Sequence, residues 1–266
     1  MSVLRRRILS GLVFGLVTLV AVYVGGALFF AAVLAAAVLA GREYQRMIVR
    51  GGYRSCYALQ FGLTAFFLLG AAYLSPRAVL GGLTLIVILS LAWQVGRGGG
   101  GGQPYVAWAL TLAGVLYVGW LSAHFIMLRE VPGGFGWTLL VLFPTWICDS
   151  CAYGFGKVWG KHSFFPRISP HKTWEGTLGG WAGGTGTALI IGVVLGLSVF
   201  QALTLGLAIS LAATFGDLAE SMIKRQMGVK DSGSLVPGHG GILDRIDSLL
   251  FVVVVVHYFV TWVLRV

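Results

Sequence analysis

The chain has 266 residues, of which 57% are hydrophobic and 11% charged, against roughly 25% charged residues in a soluble domain. That deficit, with the long uncharged runs, argues against a soluble fold built on one large core and for a polytopic membrane protein. The net charge of +10 lies mostly between hydrophobic runs, where topology and anionic lipid or nucleotide phosphates account for it, and no nucleic-acid partner is expected.

Arg5-Arg6-Arg7 is followed by apolar sequence that continues to about Ala40. No small-residue cleavage site followed by a polar stretch is found, so the run reads as retained helices rather than a signal peptide. A spanning helix needs about 20 mainly apolar residues. Runs of that kind lie near 8–24, 26–41, 59–75, 78–96, 104–128, 136–155, 176–197, 200–222 and 246–264. Only Gly25-Gly26 separates the first two. Five consecutive Gly between Arg97 and Gln103 read as a flexible linker; they lack the Lys-Ser/Thr ending and the preceding strand of a P-loop. Cys56, Cys148 and Cys151 give no disulfide framework, and the one C-x-x-C reads as buried thiols.

Orientation follows from the basic residues. With the N-terminus in the cytoplasm, one side holds Arg5, Arg6, Arg7, Arg42, Arg46, Arg50, Arg54, Arg97, Lys157, Lys161, Arg167, Lys172, Lys224, Arg225, Lys230 and Arg245. The other holds only Arg77, Arg129 and Arg265. This asymmetry predicts an all-α protein with about nine transmembrane helices and a cytoplasmic N-terminus.

Seven of the nine acidic residues fall in two regions, Cys148–Gly176 and Gly216–Asp247: Asp149, Glu175, Asp217, Glu220, Asp231, Asp244 and Asp247. Asp149 and Asp217 sit in or beside apolar runs, where an ionisable group is costly and by default functional. Asp217, Glu220, Ser221 and Lys224 are spaced as one polar stripe on a helix. Asp244 and Asp247, three apart, repel each other unless a cation sits between them. Hard oxygen ligands favour Mg²⁺, which shares its coordination with water and substrate phosphates; Asp217 is available as a third carboxylate.

Between these acids lie Lys224, Arg225 and Lys230, which suit phosphate oxygens, and Pro237-Gly238-His239-Gly240-Gly241, whose glycines let the backbone bend tightly. His239 reads as a phosphate or structural contact in preference to a base. In the first region, Ser169, Lys172 and Thr173 precede a helix start suited to an anionic phosphate, while Thr173 and Glu175 also read as a helix cap. His162 and His171 read as solvated loop residues, and His124 and His257 as hydrogen-bonded within the bundle.

The stretch Ser221-x-x-Lys224-Arg225-x4-Lys230-Asp231, then Pro237-Gly238-His239-Gly240-Gly241-x-x-Asp244-Arg245-x-Asp247, resembles the signature of the phosphatidate cytidylyltransferases, also called CDP-diacylglycerol synthases. Asp149-Ser150…Ala152-Tyr153 and Ser169-Pro170…Lys172-Thr173-Trp174-Glu175-Gly176 resemble that family's upstream motifs, with Cys151 standing where Gly is expected. The resemblance is specific over about the last 120 residues. It divides the single membrane unit into N-terminal transmembrane helices, 1–130, and a C-terminal catalytic region, 131–266.

The resemblance implies transfer of CMP from CTP to phosphatidic acid, giving CDP-diacylglycerol and pyrophosphate for phospholipid synthesis. It implies Mg²⁺ dependence with a second cation left open, metal binding by Asp217, Asp244 and Asp247, and substrate phosphates near Lys224, Arg225 and Lys230. With Asp231, His239 and Arg245 these residues form the expected catalytic set. Asp149, Ser169, Lys172, Thr173 and Glu175 form the expected nucleotide region. A homodimer in the bacterial inner (plasma) membrane is implied, multi-pass, with its site facing the cytoplasm. The rival readings are a related enzyme with another lipid acceptor and an ion-coupled transporter; clustering of the polar residues at one face and the lack of an internal repeat argue against the transporter.

Overall fold

A computed structural model describes residues 3–96, 103–235 and 240–265. The Gly-rich linker and His239, with Pro237 and Gly238, lie outside the described residues. Helix dominates: α1 (Val3–Val24), α2 (Gly26–Arg50), α3 (Tyr57–Tyr73), α4 (Pro76–Gly96), α5 (Pro104–Gly114), α6 (Leu121–Glu130), α7 (Gly134–Trp159), α8 (Trp174–Val194), α9 (Val199–Gln226) and α10 (Leu243–Tyr258). A π-helical stretch, Val115–Trp120, joins α5 to α6, and another, Phe259–Val263, prolongs α10.

Among the described residues seven helices are long and apolar enough to cross a membrane, and Ser10–Val24 and Tyr57–Tyr73 are shorter apolar helices. Each of the nine apolar runs read from the sequence overlaps one of these. The protein is a multi-pass, essentially all-helical membrane protein. One small departure is a two-stranded antiparallel hairpin, β1 (Ser163–Phe165) and β2 (Ser169–Thr173), which occupies the polar connection between α7 and α8.

Two compact units share the chain. The first comprises residues 1–127 and 226–243, the second 128–225 and 244–266. In the first unit, Gly25 and Gly26 both have positive φ, +68° and +52°, a conformation that breaks α1 from α2 without a side-chain clash. The second helix then runs nine residues beyond the predicted apolar run. Arg42, Arg46 and Arg50 are exposed at helical spacing, while Glu43, Tyr44, Met47 and Ile48 are buried, so the charged sequence makes an amphipathic extension rather than a loop. Its buried amides are satisfied: Gln45 Nε2 donates to Gln60 Oε1 at 2.5 Å and Gln60 Nε2 to the Gly41 carbonyl at 3.3 Å. His124 bonds through Nδ1 to the Trp120 carbonyl at 2.9 Å, the intrabundle role expected of it.

In the second unit α7 and α8 make the most extensive helix–helix contact. A stripe of glycines on α8 permits it. A Cβ at Gly180 would lie 2.9 Å from the Cys148 carbonyl oxygen, and one at Gly176 would lie 2.7 Å from that of Ala152. Small residues let membrane helices approach to backbone contact. The same device joins α9 to α10, where a Cβ at Gly216 would meet the Asp247 carbonyl oxygen at 2.8 Å. Between them α8 meets α9 in the same way, a Cβ at Gly206 lying 3.0 Å from the Thr185 backbone, so the four helices pack in succession with Asp149, Asp217 and Asp247 around one cavity.

Candidate active site

The second unit encloses a cavity of about 480 Å³, lined by residues from α7, the end of β2, the start of α8, α9 and the start of α10. Four carboxylates face it, Asp149, Asp217, Asp244 and Asp247, together with Lys157, Lys172 and Arg245. The lining contains no residue of the first unit.

Each charged side chain has a physical reason to be where it is. Asp149, Tyr153 and Lys157 recur at four-residue spacing on α7, so one helix face delivers all three to the cavity. Lys172 is carried by β2; its Nζ lies 2.8 Å from Asp217 Oδ2, with the two side chains 25% and 34% exposed. Ser221, one turn along α9, donates to Asp217 Oδ1 at 3.2 Å. Asp247 is almost fully buried, and its Oδ1 accepts from the Ser248 amide at 2.7 Å. Asp149 lies within electrostatic reach of both Asp217 and Asp247, so the cavity concentrates negative charge that a cation or Lys and Arg must offset.

Lys224 turns away from open space and is clamped between two acids. Its Nζ lies 2.5 Å from Glu220 Oε2 and 2.7 Å from Asp244 Oδ1. Glu220 is fully buried and Lys224 only 12% exposed. Glu220, expected only as part of a polar stripe, thus holds the lysine that holds Asp244. Arg225 donates through Nε to the Ile168 carbonyl at 3.3 Å, tying the end of α9 to the hairpin turn.

The hairpin explains the remaining upstream residues. Ser169 pairs with Phe165 across the two strands. Thr173 caps α8, its Oγ1 accepting from the Gly176 amide at 3.2 Å, and it also lines the cavity. Glu175 Oε1 lies 2.6 Å from His162 Nδ1, and Oε2 accepts from the amides of Lys161 and His162. Glu175 therefore braces the start of the hairpin. His162 is 76% exposed, as a solvated loop residue should be, but is engaged by this carboxylate. His171 is exposed and lines the cavity.

Lys230 and Asp231, both exposed, belong to the first unit, on the segment that connects α9 to α10. Lys157 is not among the site residues expected from the sequence, because the apolar run ends near 155, whereas α7 continues to Trp159. Its spacing from Asp149 was the available signal.

The Cytidylyltransferase family matches this chain over residues 5–263. The phosphatidate cytidylyltransferase of Brucella melitensis is 32% identical over 266 residues, covering 97% of this chain and 94% of that protein. That of Staphylococcus aureus is 43% identical over 146 residues, 54% of this chain and 55% of its own length. The uncharacterized protein YnbB of Escherichia coli is 41% identical over 156 residues, 58% of this chain and 52% of its own. The family match runs through both units, and the Brucella relative aligns over nearly its whole length, so the chain belongs to the cytidylyltransferase family.

Proposed function

We propose that the chain transfers CMP from CTP to phosphatidic acid, giving CDP-diacylglycerol and pyrophosphate. The observation that carries this reading is the convergence of four carboxylates and three cationic side chains on one cavity of a protein otherwise poor in charge. The family match and the activity named for the aligned relatives point the same way.

The chemistry fits these residues. A phosphate oxygen of phosphatidate attacks the α-phosphorus of CTP; a new P–O bond forms as the bond to the β-phosphate oxygen breaks and pyrophosphate leaves. The nucleophile is already an anion, so positioning and charge neutralisation dominate over proton abstraction. Lys157, Lys172 and Arg245 supply positive charge to the phosphates. Asp217 orients Lys172, and the Glu220–Lys224–Asp244 cluster fixes the start of α10.

Mg²⁺ suits the donor set. Hard carboxylate oxygens from Asp217, Asp244 and Asp247 would hold it, as would the neighbouring Asp149. Among the described residues no three acidic, His or Cys side chains form a closed cage. Mg²⁺ would therefore take only one or two of these carboxylates and complete its shell with water and substrate phosphates. When bound, it would neutralise charge on the triphosphate. We further propose an inner-membrane homodimer with the cavity open to the cytoplasm; the predominance of Lys and Arg on one side of the spans supports that orientation.

The test is turnover by purified protein in mixed micelles with CTP, Mg²⁺ and phosphatidate, following CDP-lipid and pyrophosphate together. Equal yields of both products are expected. Product with another lipid phosphate and none with phosphatidate would overturn the acceptor assignment.

A further inference from the structure

Glu43 lies outside the cavity and outside every motif above, yet it is one of the most heavily engaged side chains of the first unit. It is fully buried on α2. Its Oε1 accepts from the Ile242 amide at 3.0 Å, and its Oε2 from the Leu243 amide at 2.8 Å and the Ser232 hydroxyl at 3.2 Å. These donors are neutral groups from two separate parts of one segment, 226–243. Burying a carboxylate is costly unless its oxygens are satisfied, and here two backbone amides at the start of α10 also present the positive end of a helix.

The segment is moulded to this carboxylate. A Cβ at Gly233 would meet Glu43 Oε1 at 2.5 Å, and one at Gly241 would strike both Glu43 Oε2 and Ser232 Oγ. Neither glycine has a positive φ, so contact with Glu43, rather than backbone conformation, is what demands a residue without a side chain. The segment carries Lys230 and Asp231, and the residue after Leu243 is Asp244, the first cavity acid of α10.

We infer that Glu43 is a positioning residue for the nucleotidyl transfer: its carboxylate clasps the connection between α9 and α10 and so sets where Lys230, Asp231 and the entry to α10 lie. The inference rests on the transferase reading for its effect on turnover. The clasp itself is read independently.

Glu43→Gln is the decisive variant. It preserves shape but replaces one acceptor oxygen with an NH₂ facing backbone N–H groups, while Glu43→Asp keeps both oxygens on a shorter arm. Melting temperature, tryptic cleavage after the exposed Lys230, and kcat and KM for CTP are measured on detergent-solubilised full-length protein. Glu43→Gln should melt within a few degrees of wild type, be cut faster at Lys230, and lose about tenfold or more in kcat/KM, the scale of one lost charged hydrogen bond; Glu43→Asp should recover part of both. Wild-type cleavage and turnover in Glu43→Gln would overturn the inference. If Glu43→Gln melts far below wild type, the cycle of Gly233→Ala with Glu43→Ala decides. Cleavage should be accelerated by Gly233→Ala alone and not further in the Glu43→Ala background; independent effects would refute the clasp. Were wild type itself inactive with CTP and phosphatidate, the transferase reading would fail, while the cleavage data would still test the clasp.

Discussion

Lys172 reaches from the short hairpin to Asp217 on α9, its Nζ 2.8 Å from Oδ2, and so joins the polar connection between α7 and α8 to the acidic wall of the cavity. Both side chains are about a quarter to a third exposed. An ion pair this wet contributes only about 0–1 kcal/mol to stability. In the proposed transfer its value would lie in holding a positive charge beside the substrate phosphates.

Lys172→Ala should therefore leave the melting temperature nearly unchanged and lower kcat/KM by about 100-fold, the loss expected when one preorganised donor is removed. Lys172→Arg should retain an intermediate rate. Parallel melting curves and initial rates check this, and a large fall in stability with little change in rate would contradict it.

The Glu220–Lys224–Asp244 cluster behaves in the opposite sense. Glu220 is fully buried, so removal of the lysine strands its carboxylate away from water. Breaking a buried pair in this way costs about 3–5 kcal/mol. Lys224→Met should therefore be strongly destabilised. The double variant Lys224→Met with Glu220→Gln should melt above the single one, because the stranded charge has been removed. Thermal unfolding in one detergent compares them directly.

Asp247 offers the test of the metal assignment. It is buried and lines the cavity, and its Oδ1 accepts from the Ser248 amide. Asp247→Asn keeps the shape and removes the charge. The expected outcome is a fall of about 100-fold in rate, with a higher Mg²⁺ concentration needed for half-maximal activity, and chelation by EDTA should abolish wild-type turnover. Unchanged rate and Mg²⁺ response in Asp247→Asn would remove it from the metal set.

These predictions draw unevenly on the sequence. Apolar runs and isolated acids are local signals, so the helices were legible directly, as were Asp149, Asp217, Asp244 and Asp247, which line one cavity. The extension of α2 was hidden because Arg42, Arg46 and Arg50 look like a loop until their spacing is set against Tyr44, Met47 and Ile48. The hairpin was hidden by its brevity, two strands of three and five residues, in a connection whose Ser, Thr and Lys also suit a phosphate loop. Glu43 was out of reach for a different reason: its partner Ser232 lies 189 residues away, and no local pattern encodes a contact that only tertiary packing creates.

Gly216 tests whether the approach of α9 to α10 is needed for chemistry. An added Cβ there would lie 2.8 Å from the Asp247 carbonyl oxygen and 2.9 Å from the Ser248 Cα. Both are backbone atoms that cannot swing aside, so Gly216→Ala must separate the helices that carry Asp217 and Asp247. Gly186 on α8 is the matched control, since a Cβ there would meet nothing within 4 Å. Ala in an open helical position is favoured over Gly by about 0.5–1 kcal/mol, so Gly186→Ala should be neutral or slightly stabilising with full activity. Gly216→Ala should lose activity by about 100-fold, since an ångström of misplacement in a positioned site has that effect. Equal activity in the two variants would mean that the spacing of Asp217 and Asp247 is not what the reaction requires.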